Sequence, residues 1–297
     1  MGAAPIDRTL GVLDQLSKTL LTMTQFDAGQ PNPQLLLAQQ EAGQLPAPVS
    51  EWVASLTGKS EALVASGARE ALGDQAKEAV GPDCAAFIAG RYPFDPSSKS
   101  DIPLQNFGEL FGYGGRFDSL FKQSLERLID TGGRSWHWRE GPGMTPGPAG
   151  LPARMQAADA IKRSYFRDGN MPEVRFTLRA PTLAPGIAKL VVEIDGQAYE
   201  ATPGSDAGMP MRWPGPTPGR ASVTAFDAAG AQLGSVVQQG DWALFRLLHA
   251  GGLAKQSDML YVARFNLGGQ AVALPLQPGS LRHPFLDAGV RRFRCGG

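Results

Sequence analysis

Lys189-Leu190-Val191-Val192-Glu193-Ile194-Asp195-Gly196-Gln197-Ala198-Tyr199-Glu200-Ala201 is the stretch that decides the fold of this chain. Leu190, Val192 and Ile194 alternate with Lys189, Val191 and Glu193, the two-residue period of a strand with one buried face. Asp195-Gly196 supplies the positive φ angles of a tight hairpin, so residues 197–201 return as the paired strand. Before it, Val174, Phe176 and Leu178 alternate with Glu173, Arg175, Thr177 and Arg179. After it, residues 221–226, 233–237, 259–265 and 271–276 are further strand candidates, the last two joined by Asn266-Leu267-Gly268-Gly269. About seven short strands with turn punctuation predict an antiparallel sandwich. One helix interrupts them, capped by Asp241 and closed by Gly251-Gly252.

Upstream of Met171 the period is 3.6. Ile6, Leu10, Leu13, Leu16, Leu20 and Leu21 form one helical stripe, and Asn32-Pro33 restarts a short helix. A longer stretch follows Pro48, with Trp52, Val53, Leu56, Leu63 and Val64 on its apolar side and an expected break at Gly81-Pro82. Asp101 precedes a helix with Leu104, Phe107 and Phe111. The strongest stripe is Phe117, Leu120, Phe121, Leu125, Leu128 and Ile129, with Lys122, Glu126, Arg127 and Asp130 off it. Residues 131–153 are rich in Gly and Pro and read as an ordered excursion, since Trp136 and Trp138 are costly to leave in water. Met155, Ala158, Ile161 and Tyr165 mark a last helix. The fold class is therefore α+β: an α-helical subdomain over residues 1–170, then an antiparallel β-sandwich with one inserted short helix over residues 171–297, ending in an extended tail.

The chain has 297 residues, with 28 Lys plus Arg against 28 Asp plus Glu, which excludes a strongly basic nucleic-acid binder. Residues 1–170 carry 16 basic and 19 acidic groups and residues 171–297 carry 12 and 9. No run of about 18 apolar residues and no leader pattern is found, so the sequence predicts no membrane-spanning helix and no signal peptide. His137, His249 and His283 lack a second ligand at metal-binding spacing, and no GxSxG occurs, so no metal, cofactor or catalytic residue is assigned and no enzyme is expected. Phe111-Gly112-Tyr113-Gly114-Gly115 lacks the Lys-Ser/Thr ending of a phosphate loop and reads as a helix-helix corner.

Residues 202–219 show almost no regular pattern and carry Met209, Met211, Arg212 and Trp213, types enriched at protein interfaces. Trp213 either plugs one end of the sandwich or anchors a partner from a loop stiffened by Pro203, Pro210, Pro214, Pro216 and Pro218. Arg291, Arg292 and Arg294 form a basic tail, solvated or set against an acidic surface.

Several groups recur in order: Cys84 before Gly90-Arg91-Tyr92-Pro93-Phe94, Phe107 to Phe121 with its glycines, Trp136-x-Trp138, Ile194-Asp195-Gly196-Gln197, Trp213-Pro214-Gly215, Gly240-x-Trp242-Ala243-Leu244-Phe245-Arg246-Leu247, Pro284-Phe285 and Phe293-Arg294-Cys295. In this succession the chain resembles the C-terminal periplasmic region of the TssM (IcmF/VasK-like) family of type VI secretion membrane-complex components. It departs from that pattern at Tyr113, His283 and Gly296, in local turns.

The resemblance implies a structural, envelope-spanning role in the periplasm, as part of an inner-membrane-anchored protein. It implies docking of an outer-membrane lipoprotein (TssJ-like), contact with an inner-membrane partner (TssL-like) through sequence upstream of Met1, and a homo-oligomer in the full complex. The sandwich, rather than the helices, is expected to dock the lipoprotein, through Met209, Met211, Arg212 and Trp213. It further implies that Cys84 and Cys295 are bonded in an oxidising compartment, the alternative being two separate buried thiols. The other function class is a periplasmic carbohydrate or peptidoglycan-binding sandwich, with Trp136, Trp138 and Trp213 as stacking platforms.

Overall fold

A computed structural model describes residues 49–140, 146–286 and 288–295, with a few isolated positions before Val49. The helical stripe expected from Ile6 to Leu21 and the short helix expected after Asn32-Pro33 otherwise lie outside the described residues. Chain contacts define two compact units, one of Met1–Ala79 with Lys122–Ala153 and one of Val80–Phe121 with Arg154–Gly297.

Helix α1 spans Val49–Phe87 and runs through the Gly81-Pro82 pair where a break was expected. Proline removes one helical hydrogen bond, but Val80, Cys84 and Ile88 recur every fourth residue and are buried, which outweighs the lost bond. A wide π turn at Phe121–Leu125 ends the regular helix expected to reach Ile129. Ile129–Asp130 (β1) instead pairs antiparallel with His137–Trp138 (β2), so the chain reverses within the Gly-rich excursion. Trp138 donates its indole N–H to the Pro148 carbonyl at 3.1 Å, and Gln75 reaches Ser124 at 3.0 Å.

The second unit holds Leu104–Phe111 (α2), Arg116–Leu120 (α3) and nearly all of Leu151–Tyr165 (α4), together with the sandwich. The period does change near residue 170, between Tyr165 and Val174. The compact units nevertheless follow a different division from the expected 1–170 and 171–297, because the apolar stripes of α2 and α4 are buried on the sandwich's own aromatic side chains. Phe107 stands edge-on to Trp242 with centroids 5.0 Å apart, and Tyr165 lies 6.3 Å from Trp213.

The strands are Val174–Leu178 (β3), Thr182–Leu183 (β4), Lys189–Ile194 (β5), Gln197–Ala201 (β6), Met209–Trp213 (β7), Arg220–Phe226 (β8), Gln232–Gln239 (β9), Ala254–Ser257 (β10), Leu260–Leu267 (β11) and Gln270–Pro278 (β12). Pairing is antiparallel throughout, with order β10-β11-β12-β3-β7 and β4 beside β12 in one sheet and β6-β5-β8-β9 in the other. Phe176, Leu178, Leu274 and Leu276 from the first sheet and Leu190, Val192, Ile194, Val223 and Ala225 from the second are buried. Helix α5, Ala243–Ala250, interrupts the strands as expected and ends at Gly251. The C-terminal residues include a short helix, Ala288–Arg292 (α6).

Strand β7 corrects the expectation of a patternless loop over residues 202–219. Met211 and Trp213 point inward while Pro210 and Arg212 point outward, so the period is two and the prolines had masked it. Gly279 N–H donates to the Arg175 carbonyl, so Arg175 and Thr177 bond toward β12, and Val174, Phe176 and Leu178 bond toward β7. The backbone of Pro210 and Arg212 therefore faces the open edge of the sheet, where a missing proline N–H costs no ladder bond.

That edge is closed by one side chain. The Gln197 amide donates to the Arg212 carbonyl at 2.7 Å and accepts the Arg212 N–H at 3.0 Å, reproducing a strand partner from the opposite sheet. Gln197→Ala is expected to cost about 1–2 kcal/mol in urea unfolding and to increase self-association through the exposed edge. An unchanged unfolding midpoint would show that the latch contributes nothing.

Candidate functional site

The Asp195-Gly196 turn has φ of 48° and 79°, the left-handed pair the dipeptide predicts. Asp195 has a second task. Its carboxylate is buried and accepts N–H groups from Gly215 at 3.2 Å, Gly219 at 2.9 Å and Arg220 at 3.3 Å, while its carbonyl accepts from Thr217. One side chain thus organises the Pro/Gly segment that leaves Trp213, and burial pushes its acidity weaker while those three donors oppose the shift.

Of the four residues singled out as partner contacts, Trp213 is 0% and Met211 3% exposed, Met209 is half-buried, and only Arg212 projects freely. Trp213 and Met211 are therefore core residues rather than exposed anchors, because strand alternation turns both onto the inner face. Trp213 donates its indole N–H to the Asp241 carbonyl at 3.2 Å and stands edge-on to Phe245 at 4.8 Å. Buried there, Trp213 offers no face to a sugar ring. Trp136 and Trp138 are half-buried in the other unit.

What the strand alternation leaves outside is basic. Register places Arg175 opposite Arg212, and Arg175, Thr177, Gln197, Pro210, Arg212 and Gly279 are among the residues lining an open groove of about 330 Å³. Arg175 pairs with Glu173, which also meets Arg167 at 3.4 Å.

Asp101 is a site residue that sequence reading missed. It accepts the Trp242 N–H at 3.3 Å and forms an ion pair with Arg246, whose Nη1 also reaches the Ser98 carbonyl at 3.0 Å. Asp101 thus does the capping expected of Asp241, which instead accepts the Leu104 N–H at 3.4 Å. The only hint was its place directly before α2. The Arg246 guanidinium lies 4.0 Å from the ring centre of Tyr92.

Burial pushes the Tyr92 phenol from 10.0 up to about 12, with Arg246 opposing the shift. Because the folded chain holds that proton more tightly than the unfolded chain, the contribution is complete below about pH 10 and lost as pH rises through 12. Alkaline titration of stability is expected to fall by about 2–3 kcal/mol more for the parent than for Tyr92→Phe. Equal slopes would remove Tyr92 as the cause.

The glycine corner is structural. A side chain at Gly108 would meet the Asn170 carbonyl oxygen at 1.7 Å, and Tyr113 N–H donates to the Gly169 carbonyl at 2.8 Å. Buried Asp118 accepts from Gly114 N–H at 2.9 Å and from Lys162 at 2.7 Å. His283 Nδ1 accepts the Phe285 N–H, His137 lies 3.2 Å from the Ser135 carbonyl, and His249 is exposed. Among the described residues no group of three His, Cys, Asp or Glu is placed to hold a metal, and no helix is long and apolar enough to cross a membrane. Cys84 and Cys295 are joined by a disulfide, with Cα atoms 5.4 Å apart and a separation of 211 positions in sequence.

The second unit thus combines a buried aromatic seam, a Pro/Gly-braced sandwich and an open basic groove. The IcmF C2-like domain of type VI secretion proteins matches residues 176–280, which run from β3 through β12. Type VI secretion system component TssM1 of Pseudomonas aeruginosa PAO1 is 34% identical over 212 residues, covering 69% of this chain, and the chain spans 19% of that relative's length.

Solved structures share the fold. A TssM C-terminal domain from EAEC superposes with a TM-score of 0.63 at 21% identity, over 78% of this chain and 97% of that one. A type VI secretion membrane core complex superposes at 0.67 and 22% identity, over 89% and 55%. A type VI membrane complex superposes at 0.71 and 19% identity, over 100% and 63%. The chain belongs to the TssM (IcmF) family and corresponds to its C-terminal region.

Proposed function

We propose that this chain is a structural part of a type VI secretion membrane complex, lies in the periplasm, and docks an outer-membrane lipoprotein of the TssJ kind through its sandwich. The observation that carries the reading is the family match over residues 176–280, which falls on the sandwich and includes the strands lining the basic groove. The disulfide fits an oxidising compartment. A TssL-like inner-membrane partner and a homo-oligomeric assembly complete the proposal for the full protein, and the role is architectural rather than catalytic.

The test is hydrogen exchange on the intact chain with and without the soluble domain of the cognate lipoprotein. Cutting at residue 170 is unsuitable, since α2 and α4 share the sandwich's core. Binding is expected to slow exchange in strands and connections between 174 and 280 and to leave 49–79 and 122–140 unchanged. Slowing confined to those helical ranges, or no binding, would refute the assignment.

A further inference from the structure

We infer that the outer face of the six-stranded sheet, at the Arg175/Arg212 groove, takes a carboxylate-bearing segment of the docked lipoprotein. This deepens the docking reading and rests on it. The pair Arg175/Arg212 sits at a position where β3 and β7 exchange no hydrogen bonds, since both N–H and C=O of Arg212 are held by Gln197. Side chains approach most closely at such positions, and like charges facing each other there disfavour the sheet. Glu173 answers Arg175, but no carboxylate among the described residues reaches the Arg212 guanidinium.

The imbalance extends across the sheet. Its strands carry Arg175, Arg212, Lys255 and Arg264 and no Asp or Glu, whereas the four-stranded sheet carries Lys189 and Arg220 against Glu193 and Glu200. Lys255 is answered by Asp258 at 2.6 Å. Among the described residues, Arg212 thus stands at the open groove with no carboxylate partner, directly opposite Arg175. Arginine's planar fork matches a carboxylate in two parallel hydrogen bonds, and the Gln197 latch prevents β7 from recruiting a strand instead, leaving side-chain recognition as the chemistry on offer.

The experiment uses the intact chain and three probes: the soluble domain of the cognate lipoprotein, a fluorescein-labelled oligoglutamate peptide, and phosphatidylglycerol vesicles. The parent is expected to bind lipoprotein and oligoglutamate, both more weakly as salt rises. Arg175→Glu and Arg212→Glu each weaken both interactions about tenfold or more, while Lys189→Glu on the other sheet leaves them unchanged. Melting temperature reports folding of each variant, and Arg212→Gln replaces any charge reversal that fails to fold. Lipoprotein affinity unchanged in the folded variants overturns the inference and leaves the docking reading standing. Oligoglutamate binding lost in the variants, with no lipoprotein binding by the parent, overturns the docking reading and with it the lipoprotein as occupant, leaving the groove a carboxylate site for another partner. Vesicle binding that depends on these arginines, without oligoglutamate binding, overturns the inference in favour of a membrane surface.

Discussion

Replacing both cysteines, Cys84→Ser with Cys295→Ser, is expected to lower the melting temperature by about 5–15 °C, corresponding to about 2–5 kcal/mol. The bond closes a loop across 211 sequence positions, so the unfolded ensemble loses far more freedom than a short loop would remove. The chain-entropy term for such a loop is on the order of 5 kcal/mol and is an upper bound, because residual unfolded structure reduces it. The C-terminal segment does not depend on the bond alone. Phe293 is buried against Phe111 and Phe117, with centroids 5.0 and 5.1 Å apart. Hydrogen exchange near Phe293 should therefore rise in the double variant without complete release. A melting temperature unchanged in the variant, or in the parent under dithiothreitol, would contradict the argument.

Trp242→Ala is expected to cost about 3–5 kcal/mol in equilibrium unfolding, among the largest single-residue effects in the chain. Trp242 is fully buried and its ring stands 5.0 Å from both Phe107 and Trp213, so its removal opens a void where α2, β7 and α5 meet. Its indole N–H also donates to the Ile102 carbonyl at 2.8 Å, and truncation leaves that acceptor buried without its donor. Trp242→Phe should recover part of the packing and none of the hydrogen bond, falling between the two. The near-ultraviolet dichroism of the clustered aromatics is expected to collapse in Trp242→Ala. A cost below about 1 kcal/mol would show that the seam repacks around the void.

The amino-acid sequence by itself determined the elements whose information is local. Leu190, Val192 and Ile194 alternate and are buried, Asp195-Gly196 turns the chain, and Met155, Ala158, Ile161 and Tyr165 line one buried helical face. Such patterns need only the periods of strand and helix and the φ freedom of a turn. The ordered motifs also carried the family. Tertiary structure alone decided what joins residues distant in the chain. Asp101 caps and pairs with an element some 140 positions away, and Gln197 finishes the edge of a strand in the other sheet. Neither has a local signature, since a lone Asp or Gln reads as an ordinary polar residue until folding supplies its partner.

The candidate docking residues divide in the same way. Composition pointed to Met209, Met211, Arg212 and Trp213 as a group, but their proline neighbours hid the strand. Burial then withdrew Met211 and Trp213 into the core, since alternation on an edge strand permits only every second side chain to face solvent. Arg212 remains outside, and its pairing with Arg175 depends on strand register across 37 positions of sequence, which only the folded sheet defines.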